Sequence, residues 1–296
     1  SILVGMDKGY ISVKILFVGT VEFSLKALQK LVDIKANIVG VCTKGSSDFN
    51  SDFADLTPIC KTNNIPYVCT EDINSEKSIK WIKSLSPDII FCFGWSSLIK
   101  KELLELPQMG IIGFHPANLP QNRGRHPLIW ALVLGLEKSA ATFFFMDECA
   151  DAGDILSQKE FEILYEDDAS TIYTKVVGIA LNQIEDFVPQ LKNKTFQRIE
   201  QSHQLANAWR KRGKKDGRID FRMSSLAIFN LVRGLTKPYI GAYIECGDEH
   251  VVIWKVQEVM CPFKNIEPGK VLESVENTII VKCCDNAIRI LEHEFK

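Results

Sequence analysis

Residues 88–93 read Asp-Ile-Ile-Phe-Cys-Phe, an uncharged apolar run after its first residue, bounded by Pro87 and Gly94. A run of this texture suits a strand buried on both faces, because a half-exposed strand alternates apolar with polar residues and a central parallel strand does not. Toward the N-terminus the texture recurs at Val13–Gly19 (VKILFVG), Asn37–Thr43 (NIVGVCT) and Pro66–Val68. Between these runs lie segments with helical character: SLKALQKLV from Ser24, then Phe53 to Asn63, then Ser75 to Leu85. Buried strands alternating with amphipathic helices predict an α/β domain with a doubly wound, mostly parallel sheet. Ligands of such sheets bind beyond the carboxyl ends of the strands, where the loops gather. Three loops qualify: Gly94–Leu98 (GWSSL), His115–Arg125 (HPANLPQNRGR), and Met146–Asp154 (MDECADAGD), which follows ATFFF. The first strand-to-helix turn, GTVEFS, carries no GxGxxG, so a dinucleotide is disfavoured.

Toward the C-terminus, Asp168 to Leu191 has apolar residues at helical spacing and closes a first domain expected over residues 6–192. Residues 193–217 are polar and aperiodic and read as a linker. From Arg218 a short strand, RIDF, leads to a helix over Ser224–Leu235. The alternating segments AYIEC, VVIWKVQEV, TIIVKC and AIRILE follow, separated by Gly, Asp and Asn turns. That pattern predicts a small OB-like antiparallel barrel of about five strands over 218–296.

A net charge of -2 gives no global attraction to nucleic acid or anionic membranes. The nine cysteines include no CxxC pair, which argues against a zinc site or a disulfide framework and for a reduced, cytoplasmic setting. No apolar run is long enough to span a bilayer, and the first residues lack the basic flank and h-region of a signal peptide. Ser1 to Gly5 precede Met6, which is expected to be the native start.

His115 sits where a buried strand gives way to a loop, so a rigid backbone carries a ring that can face a crevice. A second polar, glycine-bearing turn with Asp151 ends the next strand. A carboxylate beside an imidazole orients it and favours its protonated form, which suits acid–base work near neutral pH. The bland alternative is a hydrogen-bonded structural histidine.

HPANLPQNRGRHPLIWALVLG followed by MDECADAGDIL resembles the signature of the N10-formyltetrahydrofolate-dependent formyltransferases, an HPxLLPxxRG-type loop and a DxG turn. The KILFVGT opening, the GWSSL loop and the DGRIDF start of the C-terminal part follow in that family's order. The resemblance implies a Rossmann-like catalytic domain with a small β domain, and an Asn, His, Asp triad. By that match His115 and Asp151 are two of its members. The asparagine position is Gly113, a departure; Asn118, Ser96 and Ser97 are candidate substitutes, with turn formation the alternative role for Asn118.

The resemblance further implies N10-formyltetrahydrofolate as co-substrate, with no metal, and a direct attack of an amine on the formyl carbon. His115 would move the proton and Asp151 would orient it. Folate contacts would come from Phe93, Gly94, Trp95, Leu98, Met146 and Asp147, and Leu119–Pro120 would be cis. For the acceptor, Arg123, Gly124 and Arg125 are the handle, since paired guanidinium forks match a diphosphate. Nucleotide-sugar members carry RGR followed by Pro and an aromatic-containing helix, whereas tRNA-directed members more often carry RGAAP. The expected reaction is therefore formylation of a UDP- or dTDP-linked amino deoxy sugar for surface or flagellar glycans. In the following helix, Leu128 and Trp130 read as core. Two rivals stand: a methionyl-tRNA formyltransferase, favoured by the basic tract Arg210–Arg222, and an impaired folate- or nucleotide-binding domain, favoured by Gly113. Lys44–Leu56 is acidic and polar where tRNA-directed relatives are basic, so nucleic acid is disfavoured as partner. A homodimer is left open.

Overall fold

The computed structural model describes residues 12–46 and 52–296. The expected start at Met6 and residues 47–51 of the acidic loop lie outside the described residues. β1 (Ile15–Val18), α1 (Glu22–Asp33), β2 (Ile38–Thr43), α2 (Thr57–Thr62), β3 (Tyr67–Cys69), α3 (Glu76–Leu85) and β4 (Ile89–Cys92) follow the predicted alternation. Local chemistry sets the ends of α3. The Ser75 hydroxyl accepts from the Ser78 amide at its start, and Ser86 adopts a left-handed φ of 48° at its finish.

The chain continues through α4 (Lys101–Leu104), β5 (Ile111–His115), β6 (Arg123–Gly124), α5 (Pro127–Val133), β7 (Lys138–Phe145), β8 (Ile155–Glu162) and α6 (Ala169–Asn193). Seven strands form one sheet in the order β3-β2-β1-β4-β5-β7-β8. β1 pairs in parallel with β2 and β4, and β4 with β5, whereas β7 runs antiparallel to β5. The fold is thus the expected doubly wound α/β sheet, mostly parallel. Strand order reverses between β1 and β4, the position where open sheets of this kind leave a crevice. Sequence pattern does not announce β8, because its second half, Gln158 to Glu162, is mostly polar and exposed.

Within residues 193–217, β9 (Ala208–Trp209) pairs in parallel with β6. Beyond it come α7 (Ser225–Leu235), β10 (Ala242–Cys246), β11 (Glu249–Val259), β12 (Val271–Val275), β13 (Thr278–Lys282) and β14 (Ala287–His293). The last five strands make a separate antiparallel sheet in the order β10-β11-β14-β13-β12. RIDF contributes only a bridge between Arg218 and Tyr243, because the chain turns at once through Asp220–Met223. β12 escapes a sequence reading because all five of its residues are exposed and no apolar face is needed.

Two compact units emerge, each discontinuous in sequence: one combines the described residues up to His115 with 142–158 and 179–201, the other 116–141, 159–178 and 202–296. The first is centred on an aromatic cluster in which Phe17, Phe91, Phe93, Phe143 and Phe187 are fully buried. Their edge-to-face and stacked contacts hold β4 and β7 against α6, with Phe93 and Phe143 centroids 5.2 Å apart. In the second unit, Ile228, Leu231, Val232 and Leu235 of α7 pack on Ile253, Val281, Ile288 and Ile290 of the antiparallel sheet.

Lys282 is fully buried in that sheet, and its ammonium donates to the carbonyls of Cys283 (2.6 Å), Asp285 (2.9 Å) and Asn286 (3.4 Å). It staples the turn between β13 and β14. Lys282→Met is expected to orphan these carbonyls and lower stability by about 2–4 kcal/mol, read as a lower urea midpoint.

Candidate functional site

His115 is the last residue of β5, paired across the ladder with Thr142 of β7, and only 5% of its surface is exposed. After β7 the chain makes the turn Met146–Asp154, closed at its base by the Phe145 amide donating to the Asp154 carbonyl at 2.8 Å. Within the turn Asp147 accepts from the Cys149 amide at 2.7 Å, and Asp151 takes a left-handed φ of 57°. That backbone brings Asp151 Oδ1 to 3.7 Å from His115 Nδ1, an ion-pair separation rather than a hydrogen bond. Both side chains are largely withdrawn from water, so their interaction is weakly screened. The two residues singled out from sequence are therefore brought together although they stand 36 positions apart in the chain. A carboxylate-oriented imidazole of this kind can take a proton from an attacking group and hand it on.

The loop after β4 presents a different set. The Phe93 side chain is fully buried in the aromatic cluster and its carbonyl accepts from the Ser24 hydroxyl, so it offers no surface to a ligand. Gly94 has a φ of 76°, Ser96 and Ser97 are exposed, and Leu98 is 70% exposed. Trp95 is half-buried beneath Lys44, whose ammonium lies 5.2 Å from the ring centroid, and its indole N–H is buried without a hydrogen-bond partner. Met146 packs with Trp95 in the cluster around Ile90 and Cys92, and Asp147 is exposed. The Leu119–Pro120 bond is cis. Among the described residues no group of three His, Cys, Asp or Glu is placed to hold a metal ion, and no helix is long and apolar enough to cross a membrane.

In the second unit, the Arg123–Gly124 strand is zipped to Ala208–Trp209, and the Arg125 amide donates to the Trp209 carbonyl at 3.2 Å. Gly124 has a φ of 101°, and a Cβ there would lie 2.2 Å from the Trp209 carbonyl oxygen, so no other residue fits. Arg123 Nη2 meets His203 Nδ1 at 3.1 Å, and Arg125 is exposed. The pairing also delivers Arg210 and Arg212, whose guanidinium carbons lie 5.2 and 4.5 Å from the Trp130 ring centroid. Trp130 is half-buried and its indole N–H donates to the Arg210 carbonyl at 3.0 Å. His126, which precedes α5, is held below its ordinary pKa by burial and then by Arg125, Arg212 and Lys211. Asn118 is half-buried, with its amide nitrogen 3.4 Å from Glu160 Oε1.

Sequence reasoning separated Arg123 and Arg125 from the Arg210–Arg212 tract, which the β6–β9 ladder joins. It also passed over Gln201, whose side chain is buried and binds the Asp151 turn. Neither had a local signal, since each depends on a pairing between distant segments.

Residues 13–184 match the family model described as formyl transferase, and residues 211–296 match the model of the formyl transferase C-terminal domain. The chain is 30% identical over 284 residues to the methionyl-tRNA formyltransferase of Caldanaerobacter subterraneus subsp. tengcongensis, covering 94% of this chain and 91% of that protein. Among solved structures it is similar to WlaRD, a sugar 3N-formyl transferase studied with dTDP and 5-N-formyl-THF. The TM-score is 0.73 at 18% identity, over 96% of this chain and 98% of that one. The N-formyltransferase from Helicobacter canadensis, in complex with folinic acid and dTDP-3-aminofucose, gives 0.71 at 16% identity, over 95% and 99%. At these identities the structural likeness speaks for the fold.

Gly113 lies two residues before His115 and so on the same face of β5. A Cβ built there would stand 3.0 Å from Met146 Cγ and 3.1 Å from Phe144 Cζ. Phe144 is its cross-strand partner and Met146 opens the Asp151 turn, so the space an asparagine would use is already filled. Gly113→Asn is therefore expected to lower stability by about 1–3 kcal/mol through overpacking without raising kcat. Adding Met146→Ala is expected to recover part of that loss in thermal melts.

Proposed function

Because the chain belongs to the formyl transferase family, we propose that it transfers a formyl group from N10-formyltetrahydrofolate to the primary amine of a UDP- or dTDP-linked amino deoxy sugar, in the making of surface or flagellar glycans. The observation that carries the acceptor assignment is the state of the basic tract. Arg210, Arg218 and Arg222, three of its seven basic residues, are engaged with Asp216, Glu245 and Asp220, so part of its charge is neutralised locally. A tRNA backbone needs a track of uncommitted cations. A nucleotide diphosphate needs only a compact pair of guanidinium forks, and Arg123 and Arg125 stand one residue apart on a loop stiffened by the ladder to Trp209. The solved relatives named as acting with dTDP or a dTDP-sugar support the same reading.

His115 then relays the proton lost by the attacking amine, and Asp151 holds the imidazole in register. The tetrahedral carbon formed on attack collapses to the formamide with release of tetrahydrofolate. Gly94, Trp95, Leu98, Met146 and Asp147 are the proposed folate contacts; Phe93 drops out of that set because its side chain is buried and its amide and carbonyl are both engaged within the protein. The unpartnered Trp95 indole N–H and the exposed Leu98 fit such a ligand, one as a waiting donor and the other as an apolar rim. Asn118 is the proposed substitute for the missing asparagine. Its contact with Glu160 is at the long end of hydrogen bonding, so little is lost on turning the amide to a substrate oxygen. The residues at 193–217 are proposed as a linker that also contributes to the acceptor face through Arg210 and Arg212.

The second reading is methionyl-tRNA formyl transfer, supported by the full-length relative from Caldanaerobacter. A panel of UDP- and dTDP-amino sugars, with initiator tRNA in parallel, decides between them: formylated sugar nucleotide detected by mass supports the proposal, and formyl transfer to charged tRNA alone overturns it. His115→Ala and Asp151→Asn are each expected to lower kcat by about a hundred- to ten-thousand-fold; full activity in either refutes its role. Arg125→Ala is expected to raise the KM for the acceptor by roughly tenfold or more while leaving the KM for the formyl donor unchanged.

A further inference from the structure

The Asp151 turn is held from behind by a residue far along the chain. Gln201 is 3% exposed, and its amide nitrogen donates to the Asp151 carbonyl at 2.9 Å and to the Gly153 carbonyl at 2.7 Å. Gln201 is itself fixed in place, because Ile199 two residues earlier exchanges both backbone hydrogen bonds with Ile155, at 2.7 and 2.9 Å. The turn needs this grip. Asp151 occupies the left-handed region, which is unfavourable for a residue with a Cβ. Gly153 passes so close to Phe145 that a Cβ there would lie 1.7 Å from its carbonyl oxygen. An amide of two hydrogens is suited to two converging carbonyls, and a hydrocarbon in its place would remove both bonds.

We infer that Gln201 is a positioning residue for formyl transfer: by gripping the carbonyls on either side of Ala152 it sets the Asp151 carboxylate against His115. This rests on the reading of His115 and Asp151 as the proton-handling pair. Through these two bonds Gln201 acts on the backbone of the turn.

The test reads the His115 ring directly, so it does not depend on knowing the acceptor. The protein has five histidines, and imidazole nitrogen resonances of the ring-labelled full chain can be assigned to His115 with His115→Gln. Gln201→Met is expected to move the His115 resonances in the direction that Asp151→Asn moves them, leaving the other four in place. With the acceptor that gives product, kcat is expected to fall about tenfold to a hundredfold, the range for a displaced catalytic group, with KM for both substrates within about twofold. Gln201→Asn, which keeps the amide but withdraws it by one methylene, is expected to give a smaller shift of the same sign and serves if the methionine variant does not fold. An unmoved His115 signal in a folded Gln201 variant, while Asp151→Asn moves it, overturns the inference. An unmoved signal in Asp151→Asn overturns instead the pairing of His115 with Asp151.

Discussion

The ladder between β5 and β7 carries a constraint on which the site depends. Because the two strands are antiparallel, the turn that leaves β7 begins beside Ile111, at the opposite end of β5 from His115, with the Met146 amide donating to the Ile111 carbonyl at 2.7 Å. For Asp151 to meet His115 the turn must therefore run back along the strand. Met146 lies over Gly113, and Asp151 arrives at the imidazole. A parallel β7 would have opened its turn beside His115 directly, so it is the antiparallel pairing that makes the meeting of His115 and Asp151 depend on this returning turn.

Running a turn back over a strand removes backbone groups from water and demands small residues where chains cross. Gly153 answers the second need against Phe145, and Gln201 answers the first at Asp151 and Gly153. Gly113 belongs to the same arrangement. Its missing side chain is the space that Met146 and Phe144 fill, so what looks in sequence like a lost catalytic group is also a packing solution. In the functional proposal that amide is supplied instead by Asn118.

The proposed acceptor face in the second unit follows a similar logic of distant pairing. Arg123 and Arg125 are exposed-loop residues in sequence, with nothing to distinguish them from solvated charges. The ladder to Ala208–Trp209 turns that loop into a short strand whose second position, Gly124, permits only glycine. It also places Arg210 and Arg212 about one aromatic ring, while Asp216 grips Arg210 through both of its carboxylate oxygens. Net charge alone would not separate a phosphate clamp from a solvated tract.

The sequence by itself determined the strands and helices whose signal is local: the apolar runs at Ile15–Val18 and Ile89–Cys92, the amphipathic α1 and α3, and the segments that became β10, β11, β13 and β14. It also placed His115 and Asp151 at strand ends, because a strand that stops at a polar, turn-forming segment says so in its composition. β8 and β12 were hidden because partial or complete exposure removes the apolar face that pattern reading relies on. Only the tertiary structure decided that β7 runs antiparallel to β5, that Gly113 is filled by Met146, and that Gln201 holds the Asp151 turn. Each is a contact between segments far apart in the chain, and such contacts are set by which surfaces pack together, a choice that local composition does not encode.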